Sequence, residues 1–174
     1  MKYVLIVALA VGSHAMAWDL SYTATIDSQS PRYALPSEDL TSVPGGSQGN
    51  VRYSVTNFIA PFSGRFVFQS VALTNWDNYL VLYRVAFDPA RPLTNAVRAN
   101  DNNPTVGLAG FSATLTGGEQ YYVVTSAAFN GSGFRQAANT VASAVPEPAT
   151  WMLCAAGLAW GWRRRKTVRE RVMT

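Results

Sequence analysis

Between Trp18 and Ala144 the chain is interrupted by Gly, Pro, Asn or Asp every ten residues or so, and this punctuation leaves no room for a fold built on long helices. What lies between the breaks is rich in aromatic and β-branched residues, which suit short strands. Leu20 to Ile26 alternates apolar and polar, and Val51-Arg52-Tyr53-Ser54-Val55 does so with a strict period of two. Asn57 to Ser63 reads as a loop, and Gly64 opens a further strand with Phe66 and Phe68 on one face and Val67 and Gln69 on the other. Tyr79 to Tyr83 is apolar throughout, as a strand covered on both faces would be. Phe111, Ala113 and Leu115 share a face. Thr116-Gly117-Gly118-Glu119 reads as a hairpin turn into a strand from Gln120 to Thr125. The expectation is an all-β body, an antiparallel β-sandwich of jelly-roll-like form. Two stretches fit it poorly. Asp27 to Gly49 is rich in Ser, Pro and Gly and suggests a long loop or irregular edge. Asn130 to Ala144 is small and polar and is expected to act, in part, as a linker.

Charge is distributed unevenly. The net charge is +4, but residues 18–145 hold seven Arg and no Lys against eight Asp and Glu, about −1. From Pro146 to Thr174 there are five Arg and one Lys against two Glu, about +4, and Lys2 supplies the rest. The basic character belongs to the two ends, which argues against a nucleic-acid partner for the body.

The N-terminal end has the layout of a secretory signal peptide over residues 1–17. Lys2 precedes an apolar run from Tyr3 to Val11, and Ala15-Met16-Ala17 places small residues at Ala15 and Ala17 for signal peptidase. Cleavage after Ala17 removes His14, the only histidine, and leaves Cys154 as the only cysteine. No disulfide can form within the chain, so the body must hold together by apolar burial or bound ions.

At the other end Val145-Pro146-Glu147-Pro148 leads into fourteen residues without charge, Ala149 to Trp162, and then Arg163-Arg164-Arg165-Lys166. Pro146 and Pro148 hold the backbone around Glu147 extended, the form a protease grips. The apolar stretch can satisfy its backbone in lipid only as a helix. At 1.5 Å per residue it reaches roughly 21 Å, short of a hydrocarbon core of roughly 30 Å, which suits a temporary anchor. The basic cluster acts as a stop on the cytoplasmic side, putting Pro146 to Pro148 at the outer face of the inner membrane. Residues 167–174 then form a cytoplasmic tail.

These residues closely resemble the PEP-CTERM sorting signal of Gram-negative bacteria, which combines a Pro-Glu-Pro motif, a short hydrophobic helix and an Arg-rich end. The likeness covers residues 145–166; Thr167 to Thr174 extends beyond the usual pattern. The resemblance implies processing by an exosortase near Pro146-Glu147-Pro148, then release or transfer to the cell surface or an exopolysaccharide (biofilm) matrix. More loosely, Tyr53 to Phe134 resembles the β-sandwich domains related to bacterial pre-peptidase C-terminal domains. The residues that carry this are Ala60-Pro61-Phe62-Ser63-Gly64, Tyr79-Leu80-Val81-Leu82-Tyr83, Asn100-Asp101-Asn102 and Leu115-Thr116-Gly117-Gly118 before Tyr121-Tyr122-Val123-Val124. This likeness implies a binding or accessory module over residues 18–144 with no chemistry of its own.

Without histidine or cysteine the processed body has no Ser-His-Asp or Cys-His site, and a zinc site has no ligands of the usual kind. Asp77, Asp88, Asp101 and Glu119 are the carboxylates available to a glycosidase, but each also sits at a turn or strand entrance. Asn100-Asp101-Asn102-Asn103 supplies oxygens of the type calcium prefers, with Asp77 and Asp101 as the expected ligands. The same residue types are ordinary in turns. Trp76, Tyr33, Tyr83 and Phe87 are candidates for stacking on sugar rings, against the more common role of core packing. Asn130-Gly131-Ser132 matches a glycosylation acceptor but reads better as a Gly-rich turn. The expected function is a non-enzymatic surface or matrix protein, with exopolysaccharide as a partner and no cofactor unless calcium. The alternative is an accessory or catalytic domain acting on extracellular carbohydrate.

Overall fold

The computed structural model describes residues 17–131 and 133–143. The expected signal peptide, apart from Ala17, and the whole expected sorting segment lie outside the described residues. Among the described residues nine strands form two antiparallel sheets that pack as a sandwich: β1 (Asp19–Ile26), β2 (Arg32–Tyr33), β3 (Val51–Ile59), β4 (Gly64–Ala72), β5 (Asn78–Arg84), β6 (Ala96–Asn100), β7 (Leu108–Leu115), β8 (Gln120–Ala127) and β9 (Arg135–Ser143). The strand order is β1-β9-β4-β7 in one sheet and β2-β3-β8-β5-β6 in the other. Only β2–β3 and β5–β6 join neighbours of the same sheet; every other connection crosses from one sheet to the other. Among the described residues no helix is long and apolar enough to cross a membrane.

The main core lies between the sheets, where Phe58, Phe66, Phe68, Leu80, Leu82, Leu115, Tyr121, Val123 and Val141 are buried together. Phe66 and Phe68 point inward while Val67 and Val71 face solvent, as the period-two pattern requires. Trp18 closes one end. Its ring stacks on Phe58 at 5.5 Å, its N–H donates to Ser143 Oγ at 2.9 Å, and its carbonyl accepts from the Ser143 N–H at 2.8 Å.

A second core covers the opposite face of the five-stranded sheet. Tyr33, Leu35, Val51, Tyr53, Tyr79, Val81, Tyr83 and Val124 are buried there. The Ser/Pro/Gly-rich stretch that follows β1 is therefore a cover: Leu35 is fully buried, and Pro36 accepts a hydrogen bond from the Tyr79 hydroxyl at 2.9 Å. This double covering explains why every residue from Asn78 to Tyr83 is buried. β5 lies between β8 and β6, as its continuous apolar character predicts.

Three expectations are corrected. Asn57 to Ser63 is not all loop, because β3 continues to Ile59. Along β3 the buried residues change phase, from Val51 and Tyr53 under the cover to Phe58 in the inter-sheet core, which breaks the alternation in the sequence. Thr116 to Glu119 is a turn but not a hairpin, since β7 and β8 lie in different sheets. Gly117 is required there: a Cβ would lie 2.8 Å from Phe62 Cα. Gly118 holds φ +81. Finally, the stretch expected as a linker is mostly β9, an inner strand paired with β1 and β4. Its small residues, Ala137 and Val141 among them, face a crowded interior, so small size here reflects packing.

Candidate functional site

Two features stand out at the end of the sandwich where β5 begins. The first is a pair of acids. Asp77 directly precedes β5 and Asp101 directly follows β6. These strands are antiparallel with Leu80 opposite Asn100. Continued by one step, that register sets Tyr79 against Asp101 and Asp77 diagonally beyond it on the same face, within side-chain reach. Oδ1 of Asp77 and Oδ1 of Asp101 are both shut off from solvent, and neither receives a hydrogen bond. Burial, the neighbouring Asp77 and the charge of Glu38 push the Asp101 carboxyl up to about 6. Glu38 reaches in from the covering segment, and its Oε1 accepts the Asp101 N–H at 3.0 Å.

The Asn run around Asp101 has a structural task. Asn100 Oδ1 accepts the Gly110 N–H at 2.8 Å, and Asn103 Nδ2 donates to the Gly110 carbonyl at 2.8 Å. β6 is thereby tied to β7 of the other sheet, which leaves the acid between the two amides without such a duty. Among the described residues no three Asp, Glu, His or Cys side chains converge as a metal-ligand set.

Other acids are neutralised locally. Glu119 takes Nε and Nη2 of Arg84 at 2.6 Å each, which holds its carboxyl low and raises the guanidinium. Asp88 accepts from Arg91 Nε at 2.8 Å and is likewise lowered. Asp27 and Asp39 are lowered chiefly by the Gln29 N–H and the Ser37 hydroxyl respectively. Of the four carboxylates singled out in the sequence, the fold brings Asp77 and Asp101 together and leaves Asp88 and Glu119 in separate ion pairs.

The second feature is an open cleft of about 390 Å³ between the segment before β5 and the loop joining β8 to β9. Phe129 and Phe134 line it and are 51% and 61% exposed. Trp76, 9% exposed, lies beneath with its Nε1–H held by the Gln136 carbonyl at 2.9 Å. The Arg135 guanidinium sits 5.9 Å from the Trp76 ring centre. Asn75, Asn130 and Asp77 add polar groups to the wall.

Of the aromatics proposed for sugar stacking, Trp76 alone lines this cleft. Tyr33, Tyr83 and Phe87 pack with Tyr53 in the second core, with ring centres 4.7–5.8 Å apart. The sequence reading missed Phe129 and Phe134; the signal that could have found them is a pair of phenylalanines flanking Asn-Gly-Ser-Gly. Ala17 is exposed just before β1. Ala15, Pro146, Glu147, Pro148, Arg163, Arg164, Arg165 and Lys166 lie outside the described residues.

Three solved structures show limited likeness to the chain. The K1 cleaved adhesin domain of Lys-gingipain from Porphyromonas gingivalis is 14% identical, with 74% of this chain and 99% of that one covered and a TM-score of 0.40. The Yersinia pseudotuberculosis-derived mitogen is 13% identical, with 76% and 90% covered and a TM-score of 0.38. A family 35 carbohydrate binding module from Clostridium thermocellum is 18% identical, with 70% and 90% covered and a TM-score of 0.33. At this level nothing about ligand or activity carries over. No curated protein matches the sequence. Residues 144–166 match the PEP-CTERM protein-sorting motif, so the chain carries that motif and is an exported exosortase substrate, anchored in the membrane before it is processed.

Proposed function

We propose that the processed body is a non-catalytic module that binds extracellular polysaccharide at the cell surface or in the surrounding matrix. Signal peptidase acts after Ala17, exosortase at Pro146-Glu147-Pro148, and the sandwich engages polymer through the cleft beside Trp76. The observation that carries the binding reading is the pairing of two exposed phenylalanines with amide and guanidinium groups around an open cleft. Apolar ring faces cover the C–H faces of a sugar while polar groups at the rim meet its hydroxyls. Two adjacent half-exposed phenylalanines forfeit roughly half of the burial free energy of a fully covered side chain, about 1 kcal/mol each, and form a local apolar patch at the cleft.

A hydrolytic role has less support. Glu119 and Asp88 are held ionised by arginines, which suits neither to donate a proton. Oδ1 of Asp77 and Oδ1 of Asp101 are shielded from solvent, which withholds these two atoms from a solvent-borne bond.

The test is calorimetric titration of the full chain in detergent with soluble polysaccharide from the host's own matrix, alongside a reducing-end assay. Saturable heat without new reducing ends is expected, and the Phe129→Ala, Phe134→Ala double variant should bind at least about tenfold more weakly, near 1.4 kcal/mol. New reducing ends that vanish in Asp77→Asn or Asp101→Asn would move the protein to the carbohydrate-active alternative.

A further inference from the structure

Arg135 stands at the start of β9, in the wall of the cleft. Arg84 and Arg91 each hold a carboxylate, whereas no carboxylate lies within ion-pair distance of Arg135 among the described residues. Its guanidinium is nevertheless held in place. It sits 5.9 Å from the centre of the Trp76 ring, a cation–π arrangement, and its Nη1 donates to the Gly131 carbonyl at 3.4 Å. Gly131 makes the seat, because a Cβ there would collide with Arg135 Nη2. Most of the guanidinium N–H groups are left for a ligand. Asn130, also in the wall, is set up as a donor. Its Oδ1 accepts from Arg32 Nη1 at 2.8 Å, and the same nitrogen donates to the Asn50 carbonyl at 2.7 Å. With that oxygen taken, Asn130 offers its amide hydrogens, and Arg32 sets a second positive charge behind it.

We infer that the cleft selects acidic polysaccharide, taking a uronic-acid carboxylate on Arg135 and Asn130 while Phe129 and Phe134 cover the sugar ring. This selection rests on the cleft being a polysaccharide site, as proposed above. A sugar hydroxyl both donates and accepts, and it leaves the charge of a guanidinium unmatched. A carboxylate only accepts, and its two oxygens fit the planar fork of an arginine. The wall offers that group what it needs: a fixed cation and a neighbouring amide donor, beside apolar ring faces. Among the described residues Asp77 is the one acid that lines the cleft. Its Oδ1 is shielded from solvent and it forms no ion pair with Arg135, so the guanidinium keeps its charge for the ligand. Repulsion from Asp77 directs a negative group toward the Arg135 side of the cleft.

The experiment is calorimetric titration of the full chain in detergent with the host's matrix polysaccharide, native and after chemical reduction of its uronic-acid carboxyls to alcohols. Native polymer should bind saturably, and reduced polymer at least about tenfold more weakly. Arg135→Gln should lose about as much toward native polymer and become indifferent to the reduction. Gly131→Ala, which keeps the arginine but crowds its seat, should weaken binding in the same direction. Arg65→Gln removes a charge outside the cleft and should bind as wild type does. If native and reduced polymer bind the wild-type chain alike, selection for a carboxylate is overturned while the cleft stands as a polysaccharide site. If neither binds, the polysaccharide reading falls and the selection falls with it. If reduction weakens binding but Arg135→Gln matches wild type, the carboxylates are held elsewhere, as at the basic cluster Arg163-Arg164-Arg165-Lys166, and the assignment to the cleft is overturned. The comparison of the two polymers uses wild-type protein alone, so poor folding of a variant does not protect the inference.

Discussion

Asp101 gives the clearest residue-scale prediction. Its carboxyl is raised in the folded chain to about 6 from an ordinary 3.8. A raised acid favours the fold fully below the unfolded value, and that contribution is lost as pH climbs through the folded one. In calcium-free buffer the fold should therefore lose stability between about pH 4 and pH 6 at this site. Asparagine imitates the protonated acid. The melting midpoint of Asp101→Asn should match wild type near pH 4 and exceed it by roughly 3–6 °C at pH 7, after discounting for the partial exposure of this group. A difference that does not change with pH would mean that Asp101 is not strained by its neighbours. The sequence announced both acids as oxygen donors near turns. It did not announce that Glu38 would join them, because that contact spans 63 positions and depends on how the covering segment lies over the sheet.

At the scale of elements, β9 is where reading and structure diverge most. A linker would exchange its backbone hydrogens almost freely, whereas an inner strand bonded on both sides exchanges only when the sheet opens. The amides of Ala137 to Val141 should be protected on the order of 10³-fold or more in native-state hydrogen exchange, comparably to β4. Near-free exchange there would return the stretch to a linker. Strands with strong alternation, such as β4, or with continuous apolar character, such as β5, were legible because each faces one kind of environment along its length. β3 was only half legible because its two ends serve different cores. β2 and β6 went unread, β2 having only two residues and β6 no fully buried side chain.

For the whole molecule, sorting and folding meet at one short stretch of sequence. Ser143 ends β9, and Pro146 follows within three residues. Protein secreted by the native host should begin at Trp18 and end near Pro146-Glu147-Pro148, and intact mass should show this only in a strain that has its exosortase. A chain that keeps its tail through Thr174 with and without that enzyme would contradict processing at the motif. The sorting signal could be read directly because its parts are contiguous and act through local properties: extended prolines, an apolar run and a basic stop. Period-two patterning with frequent turn residues likewise determined the all-β class. Tertiary structure alone decided which strands pair, that a Pro- and Gly-rich segment builds a second core, that Phe129 and Phe134 flank Trp76, and that Asp77 and Asp101 end side by side. Those facts depend on residues far apart in sequence, brought together by burial that no single stretch encodes.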